Sequence, residues 1–247
     1  MHRTPFMMAM LSALLFGAAT PASKLLLQGI GPFQLAGLLY LGAAFAVAPA
    51  ALRQGGFALP ARSDRRNRLR LSGAVVFGGI IAPVALLFGL RLAGAASVSL
   101  WLNLELAATA VLGVVVFRDH LGRKGWIGVA LALLASALLA GAPDSAGPLA
   151  VVLVLLACLC WGLDNHLTAL IDGISPSQST LWKGAIAGSV NLIIGLTFEP
   201  VSAGFQQLSL ALLVGALCYG ASIVLYIHSA QQIGATRCLI GQVGCDR

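Results

Sequence analysis

The chain has 247 residues, of which 59% are hydrophobic and 9% charged, with a mean hydropathy of +0.93 and a net charge of +7. A soluble domain carries about 25% charged residues, so this composition excludes a water-soluble globule. It also excludes collagen-like and disordered chains, and five cysteines are too few for a disulfide scaffold. What remains is a polytopic membrane protein.

A transmembrane helix needs about 20 mainly apolar residues. Eight segments qualify: roughly 6–28, 33–52, 71–90, 95–117, 125–142, 148–171, 179–198 and 208–230. The runs are unbroken rather than alternating, which argues against barrel strands, so an all-α bundle of about eight spans is expected. The first segment follows Arg3 and contains Gly17-Ala18-Ala19-Thr20-Pro21. It resembles a signal peptide in these respects, but it runs on apolar past that point and is read as a retained helix. It carries Pro21 and Lys24, and Gly29-Ile30-Gly31-Pro32 turns the chain into the second segment, where Tyr40 is expected at the interface.

The loop 53–70 holds Arg53, Arg62, Arg65, Arg66, Arg68 and Arg70 against Asp64, so it carries +5 of the +7 charge. Only Phe57 is aromatic there. A basic loop between apolar segments points to topology and not to nucleic acid. The third segment is interrupted by Pro83, and the fourth contains Trp101, Asn103 and Glu105. Arg118, Arg123 and Lys124 lie between the fourth and fifth, and Ala142-Pro143-Asp144-Ser145 marks the next turn. The sixth segment carries Cys158, Cys160, Trp161, Asp164, Asn165 and His166. After the turn Gly173-Ile174-Ser175-Pro176-Ser177, the seventh holds Trp182 (an interfacial position), Lys183 and the spacing Gly184-x-x-x-Gly188, which is read as packing within the monomer.

Arg3, the loop 53–70, the loop 118–124 and Arg237 all fall on one side of an eight-span chain. The other side has Arg91, Asp144 and Glu199. The basic side is cytoplasmic, which places the N-terminus inside. The cysteines within spans read as small apolar fillers. No Cys/His spacing points to a metal, and no cofactor motif is found.

An internal repeat is legible. Leu15-Phe16-Gly17 faces Leu159-Cys160-Trp161-Gly162, Gly29-Ile30-Gly31-Pro32-Phe33-Gln34 faces Gly173-Ile174-Ser175-Pro176-Ser177-Gln178, and Gly94-Ala95 faces Gly234-Ala235. The first unit, residues 1–142, holds five helices, an odd number, so the second must enter the membrane from the opposite side as an inverted repeat. The second unit, 148–237, holds three. The ten residues from Cys238 to Arg247 cannot span a bilayer, so the sequence predicts an incomplete second unit with an aberrant tail.

The chain resembles the EamA-domain family of the drug/metabolite transporter superfamily. The resemblance rests on Phe16-Gly17 with Pro21 and Lys24; on Gly94-Ala95-Ala96-Ser97-Val98 leading to Leu104-Glu105; on Arg118-Asp119-His120 before Gly125-Trp126-Ile127-Gly128; and on Cys160-Trp161-Gly162-Leu163-Asp164-Asn165. It covers about residues 6–237. It implies a ten-helix carrier of the bacterial inner membrane, made of two five-helix units, that exports small metabolites such as amino acids, or drugs, often coupled to protons. Three departures stand out: the last two helices are missing, Leu39-Tyr40 stand where many relatives have arginine, and Leu106 follows Glu105 where relatives often have proline.

Ionisable groups inside spans are functional candidates by default. Glu105, mid-span, is a candidate for proton exchange or, alternatively, a structural carboxylate. Asp164 and Asn165, beside His166, are placed mid-span facing a cavity. Lys24 is read either as attracting an anionic group or as a snorkelling cation. Lys183, near the cytoplasmic end of its helix, is read either as a functional group or as a snorkelling cation. A buried Lys–Glu or Lys–Asp pair that only fixes helix packing is the structural alternative. Trp101 and Asn103 share the stretch that holds Glu105. This mixed-charge set suits a zwitterion among other solutes. The expected partners are therefore the lipid bilayer, a small-molecule substrate and protons; oligomeric state is open. Two rival readings are a truncated product, inactive or dependent on a partner, and a membrane enzyme. The second lacks any Ser/His/Asp set, His-Glu-x-x-His or phosphate loop.

Overall fold

The structure is a computed structural model that describes residues 3–139, 147–200, 202–233 and 238. In chain order its helices are α1 (Thr4–Leu26), α2 (Pro32–Arg53), α3 (Arg65–Leu92), α4 (Ala95–Val115), α5 (Arg123–Leu139), α6 (Pro148–Ala169), α7 (Pro176–Phe198) and α8 (Phe205–Gln232). No strand occurs among the described residues. Seven of these helices are long and apolar enough to cross a membrane. The exception is α5, with 17 residues. Among the described residues, seven of the eight expected spans are thus helices long enough to cross, and the eighth is described over Arg123–Leu139. The turn at Ala142–Ser145, the Gly234-Ala235 match, and residues 239–247 of the expected tail lie outside the described residues.

Prolines begin α2, α6 and α7, where a missing N–H costs nothing because the first helical donors have no partner inside the helix. Ser175 and Gln178 form a reciprocal cap on α7, and Gly173 before it takes a φ of +78° that favours glycine. Asp64 caps α3. Its carboxylate accepts the Asn67 backbone N–H at 3.0 Å and the Asn67 side-chain amide at 2.6 Å, and these bonds hold its pKa below the usual carboxylate value.

Packing runs in an ordered series. α2 and α7 lie against each other at the centre, α8 covers α2, and α1 covers α8. On the other flank α3 packs on α7, α6 on α3, and α4 on α6. The central contact is backbone to backbone. A Cβ on Gly184 would come within 2.7 Å of the Tyr40 carbonyl oxygen, one on Gly188 within 2.8 Å of the Leu41 nitrogen, and one on Gly195 within 2.7 Å of the Gln34 nitrogen. The Gly184-x-x-x-Gly188 spacing therefore seats α7 on α2 of the same chain.

The two glutamines in the first turns of α2 and α7 reach across this seam. Gln34 Nε2 donates to the Glu199 carbonyl at 2.6 Å, at the end of α7. Gln178 Nε2 donates to the Gly56 carbonyl at 2.8 Å, just past the end of α2. Each end of the pair is thus tied by the start of its neighbour. The basic segment after α2 also meets the turn after α6 and the first half of α7: Arg70 donates to the Leu170 carbonyl, Asn67 accepts the Asp172 N–H, and Trp182 of α7 donates to the Ala58 carbonyl.

Pro21 and Pro83 interrupt their spans as expected, whereas Pro49 leaves α2 continuous. α1 breaks at Ala18, between helical stretches Arg3–Gly17 and Ala19–Leu26, because Pro21 cannot donate to the Gly17 carbonyl. α3 passes through a π-helical stretch, Ala74–Ile81, just before Pro83. α8 has a second such stretch at Gly215–Ala221.

Overfilling a packed interface costs about 1–3 kcal/mol, and more where backbone blocks relaxation. Gly188→Leu is expected to lower the melting temperature in detergent and the yield of monodisperse protein. Gly204→Ala, where a Cβ meets nothing within 4 Å, is expected to leave both unchanged. A thermal-shift comparison of the two variants checks this.

Candidate functional site

A cavity of about 240 Å³ lies in the bundle, bounded by α1, α2, α4, α6, α7 and α8. That is the volume of about eight waters, or of one small organic solute. Its walls carry both charge and aromatic surface.

The charged groups sit on three helices. Lys183 of α7 forms an ion pair with Asp164 of α6, Nζ to Oδ2 at 2.6 Å, with the two side chains 4% and 7% exposed. The other carboxylate oxygen accepts the Thr168 hydroxyl at 2.8 Å. Two adjacent glycines of α3 make room for the pair. A Cβ on Gly78 would overlap the Asp164 carboxylate, and one on Gly79 would press on Ala187 and the Lys183 stem.

Glu105 belongs to α4, which is interrupted beside it. The helix runs Ala95–Trp101, turns through Leu102 and Asn103, and resumes at Leu104. Asn103 bonds the Leu100 carbonyl twice, through its backbone N–H at 3.2 Å and its side-chain amide at 3.0 Å, so it diverts that carbonyl from the regular ladder. Glu105 then lies in the first turn of the resumed helix, where the helix dipole favours a carboxylate. Its Oε1 accepts the Asn165 amide at 2.9 Å. Among the described residues, the Lys183–Asp164 contact is the one ion pair, and no cation pairs with Glu105.

The aromatic wall is a linked set. Phe16 packs edge-on against both Trp161 and Tyr219, with ring centroids 5.6 Å apart in each case, and Tyr219 lies 5.5 Å from Tyr40. The Tyr40 hydroxyl and the Trp161 indole N–H, the latter at 3.1 Å, both donate to the Gly78 carbonyl. This carbonyl is available for a local reason. In the π-helical stretch the Ala82 N–H bonds the Phe77 carbonyl, so the next donor in register would be Pro83, which has none. The Gly79 carbonyl, also opposite Pro83 in α-register, accepts the Asn191 amide at 3.1 Å.

Of the residues singled out in the sequence, Glu105, Asp164, Asn165, Asn103 and Lys183 line this cavity. Lys24 and Trp101 do not. Lys24 donates to the carbonyls of Leu90 and Ala93 at 2.7 and 2.8 Å, where it caps the C-terminal end of α3 instead of offering charge to a solute. Trp101 packs on the core beside Cys158. Lys183 does not snorkel: it is buried and paired. Asp164 lies in the last third of α6. His166 turns away from the cavity, where Nε2 donates to the Thr109 carbonyl at 2.8 Å and the ring stacks on Phe117. Tyr40 is core and not interface, at 2% exposure. The three cysteines within spans, Cys158, Cys160 and Cys218, are buried free thiols.

Sequence reasoning missed Thr168, Tyr219, Ser222 and Tyr226, all of them in the cavity wall. Thr168 had a signal, since it follows Asp164 by one helical turn and shares its face. The α8 residues had none, because single polar groups in an apolar run do not announce which way they point.

Residues 3–141 match the EamA-like transporter family, more than half of the chain. A protein of Methanothermobacter thermautotrophicus, described as an uncharacterized transporter, is 30% identical over 187 residues, which cover 71% of this chain and 54% of the relative. The chain thus spans about half the length of the curated relative it matches.

Breaking one side of a buried ion pair strands a charge and costs about 3–5 kcal/mol, whereas replacing both partners with apolar groups is often neutral. Lys183→Met is therefore expected to destabilise the protein strongly, and Asp164→Leu combined with Lys183→Met to recover most of the loss. A double-mutant cycle on thermal or denaturant unfolding in detergent measures the recovery; additive losses would show that the pair does not act as a unit.

Proposed function

The chain belongs to the EamA-like transporter family, and on that footing we propose that it is a secondary transporter of the bacterial inner membrane, one that exports small metabolites or drugs by alternating access. The observation that carries this reading is the cavity of about 240 Å³ with Glu105, Asp164 and Lys183 in its wall, inside helices that are otherwise apolar. Ionisable groups at such depth are costly in lipid, and they mark solute or proton pathways when they face a cavity between helices. Glu105 is the proton- or substrate-binding group in this proposal; the Lys183–Asp164 pair and Asn165 hold the surrounding wall. The role is transport, not catalysis.

The proposed architecture is an inverted repeat of two EamA units, residues 1–142 and 148–237. Three features support it. Gln34 and Gln178, equivalent in the repeat, make equivalent cross-caps on the ends of α7 and α2. The third helix of each unit, α3 and α8, carries a π-helical stretch. The packing of α1 on α8 and α8 on α2 is mirrored by that of α6 on α3 and α3 on α7. The units would rock about the α2–α7 seam. The Arg-rich loop 53–70 supports a cytoplasmic location of the N-terminus and of this loop.

Alternating access has a readout that needs no known substrate. With the native cysteines replaced, a single cysteine at Ser99 in the cavity wall is expected to react with a membrane-impermeant maleimide applied from either face of oriented vesicles. Labelling from one face only, under every condition, would remove the mechanism. Flux of labelled amines, amino acids and drugs into inside-out vesicles is expected to fall to background in Glu105→Gln.

A further inference from the structure

Three charged side chains line the cavity, and their pairing decides what it can bind. By simple count they are Glu105, Asp164 and Lys183, a mixed set that would suit a zwitterion. The geometry changes that conclusion. Lys183 is already paired with Asp164 at 2.6 Å, both are buried, and Thr168 bonds the second carboxylate oxygen. Neither charge is free for a solute. Lys24, a further cation singled out in the sequence, points at the carbonyls of Leu90 and Ala93 and is not in the cavity wall. That leaves the Glu105 carboxylate, which has one neutral amide bonded to it and no cation paired with it among the described residues.

The same cavity has an aromatic wall formed by Phe16, Trp161, Tyr40 and Tyr219. The indole N–H of Trp161 and the hydroxyl of Tyr40 are turned outward to the Gly78 carbonyl. Their polar tips are engaged in the bundle, and both side chains are part of the wall. Aromatic faces attract cations, and the attraction grows where water is excluded. A carboxylate without a partner counter-charge, beside a set of aromatic rings, is complementary to one positive charge on an apolar body.

We infer that the ligand of this cavity is an organic ammonium cation, held by the Glu105 carboxylate and the Phe16–Trp161–Tyr219 rings, and that zwitterions and anions are disfavoured because, among the described residues, the wall offers a carboxylate no unpaired cation. Its meaning for transport rests on the carrier reading above; its meaning for binding does not.

Four probes of nearly one shape separate charge from shape. They are choline, its uncharged carbon analogue 3,3-dimethyl-1-butanol, the zwitterion glycine betaine and the anion 3,3-dimethylbutyrate. Binding to the full chain in detergent is measured by calorimetry and by tryptophan fluorescence. Choline is expected to bind at least about tenfold more tightly than the other three. Glu105→Gln and Phe16→Leu, each confirmed monodisperse by size exclusion, are expected to lower choline binding about tenfold without changing that of the alcohol.

Flux of the same four compounds is then measured in proteoliposomes. Charge-selective choline binding without flux would sustain the inference and sink the carrier reading. Flux or tighter binding of betaine or 3,3-dimethylbutyrate would overturn the inference and leave the carrier reading standing. Equal binding of choline and the alcohol, no saturable choline binding, or full choline binding in Glu105→Gln would each overturn it as well.

Discussion

The close approach of α2 and α7 governs the rest of the molecule. Glycines at 37, 184, 188 and 195 let the two helices approach backbone to backbone at four levels. In lipid there is little hydrophobic gain from helix contact, and packing of this kind is what holds helices together. The contact sets the level of Tyr40 against that of Lys183. It brings α3 onto α7, where Gly78 and Gly79 leave space for the Asp164–Lys183 pair. Move the seam, and the ion pair, the tyrosine and the cavity wall move with it.

A second constraint acts on the backbone. Water is absent from the bilayer interior, so each N–H and C=O must find a partner in the protein. Pro83 and the π-helical stretch before it leave the carbonyls of Gly78 and Gly79 without their usual donors. Tyr40, Trp161 and Asn191, from three different helices, supply the missing bonds. The irregularity is therefore a tie point. It fixes two aromatic rings of the cavity wall by their polar tips. A regular helix at this position would have no free carbonyls to offer and would hold neither ring. The break in α4 next to Glu105 does similar work with a side chain, since Asn103 bonds Leu100 and the carboxylate falls in the first turn of a new helical stretch.

Much of the fold is legible in the amino-acid pattern because the bilayer imposes a length. Seven of eight apolar segments are helices that can span, and the turn chemistry at Gly29–Pro32 and Gly173–Ser177 falls where helices begin. Presence inside a span was also legible for Glu105, Asp164 and Lys183, since charge in an apolar run needs a reason. Direction was not. Lys24 and Lys183 have the same signature in sequence, a cation some residues from a helix end. One caps carbonyls and the other pairs with a carboxylate. The difference depends on which helix lies opposite, and that is settled by the glycine seam and by α3, which no local pattern encodes. Tyr40 was misplaced for the same reason, because its proximity to a span end says nothing of the helices stacked outside it.

The charge balance shows why contacts outrank composition at such a site. Lys24, Glu105, Asp164 and Lys183 sum to zero, and a zero sum reads as a site for a zwitterion. In a medium of low dielectric, however, opposite charges in contact are already neutralised, and their field on a third group is that of a short dipole. Lys183 and Asp164 form such a dipole, and Lys24 faces the end of α3. Among the described cavity residues, the charge without an ion-pair partner is on Glu105. Aromatic rings in the same wall act with the same sign where a solute meets their faces, the negative part of their quadrupoles. Residual charge and ring faces agree, and that agreement, more than the number of ionisable residues, gives the cavity its chemical character.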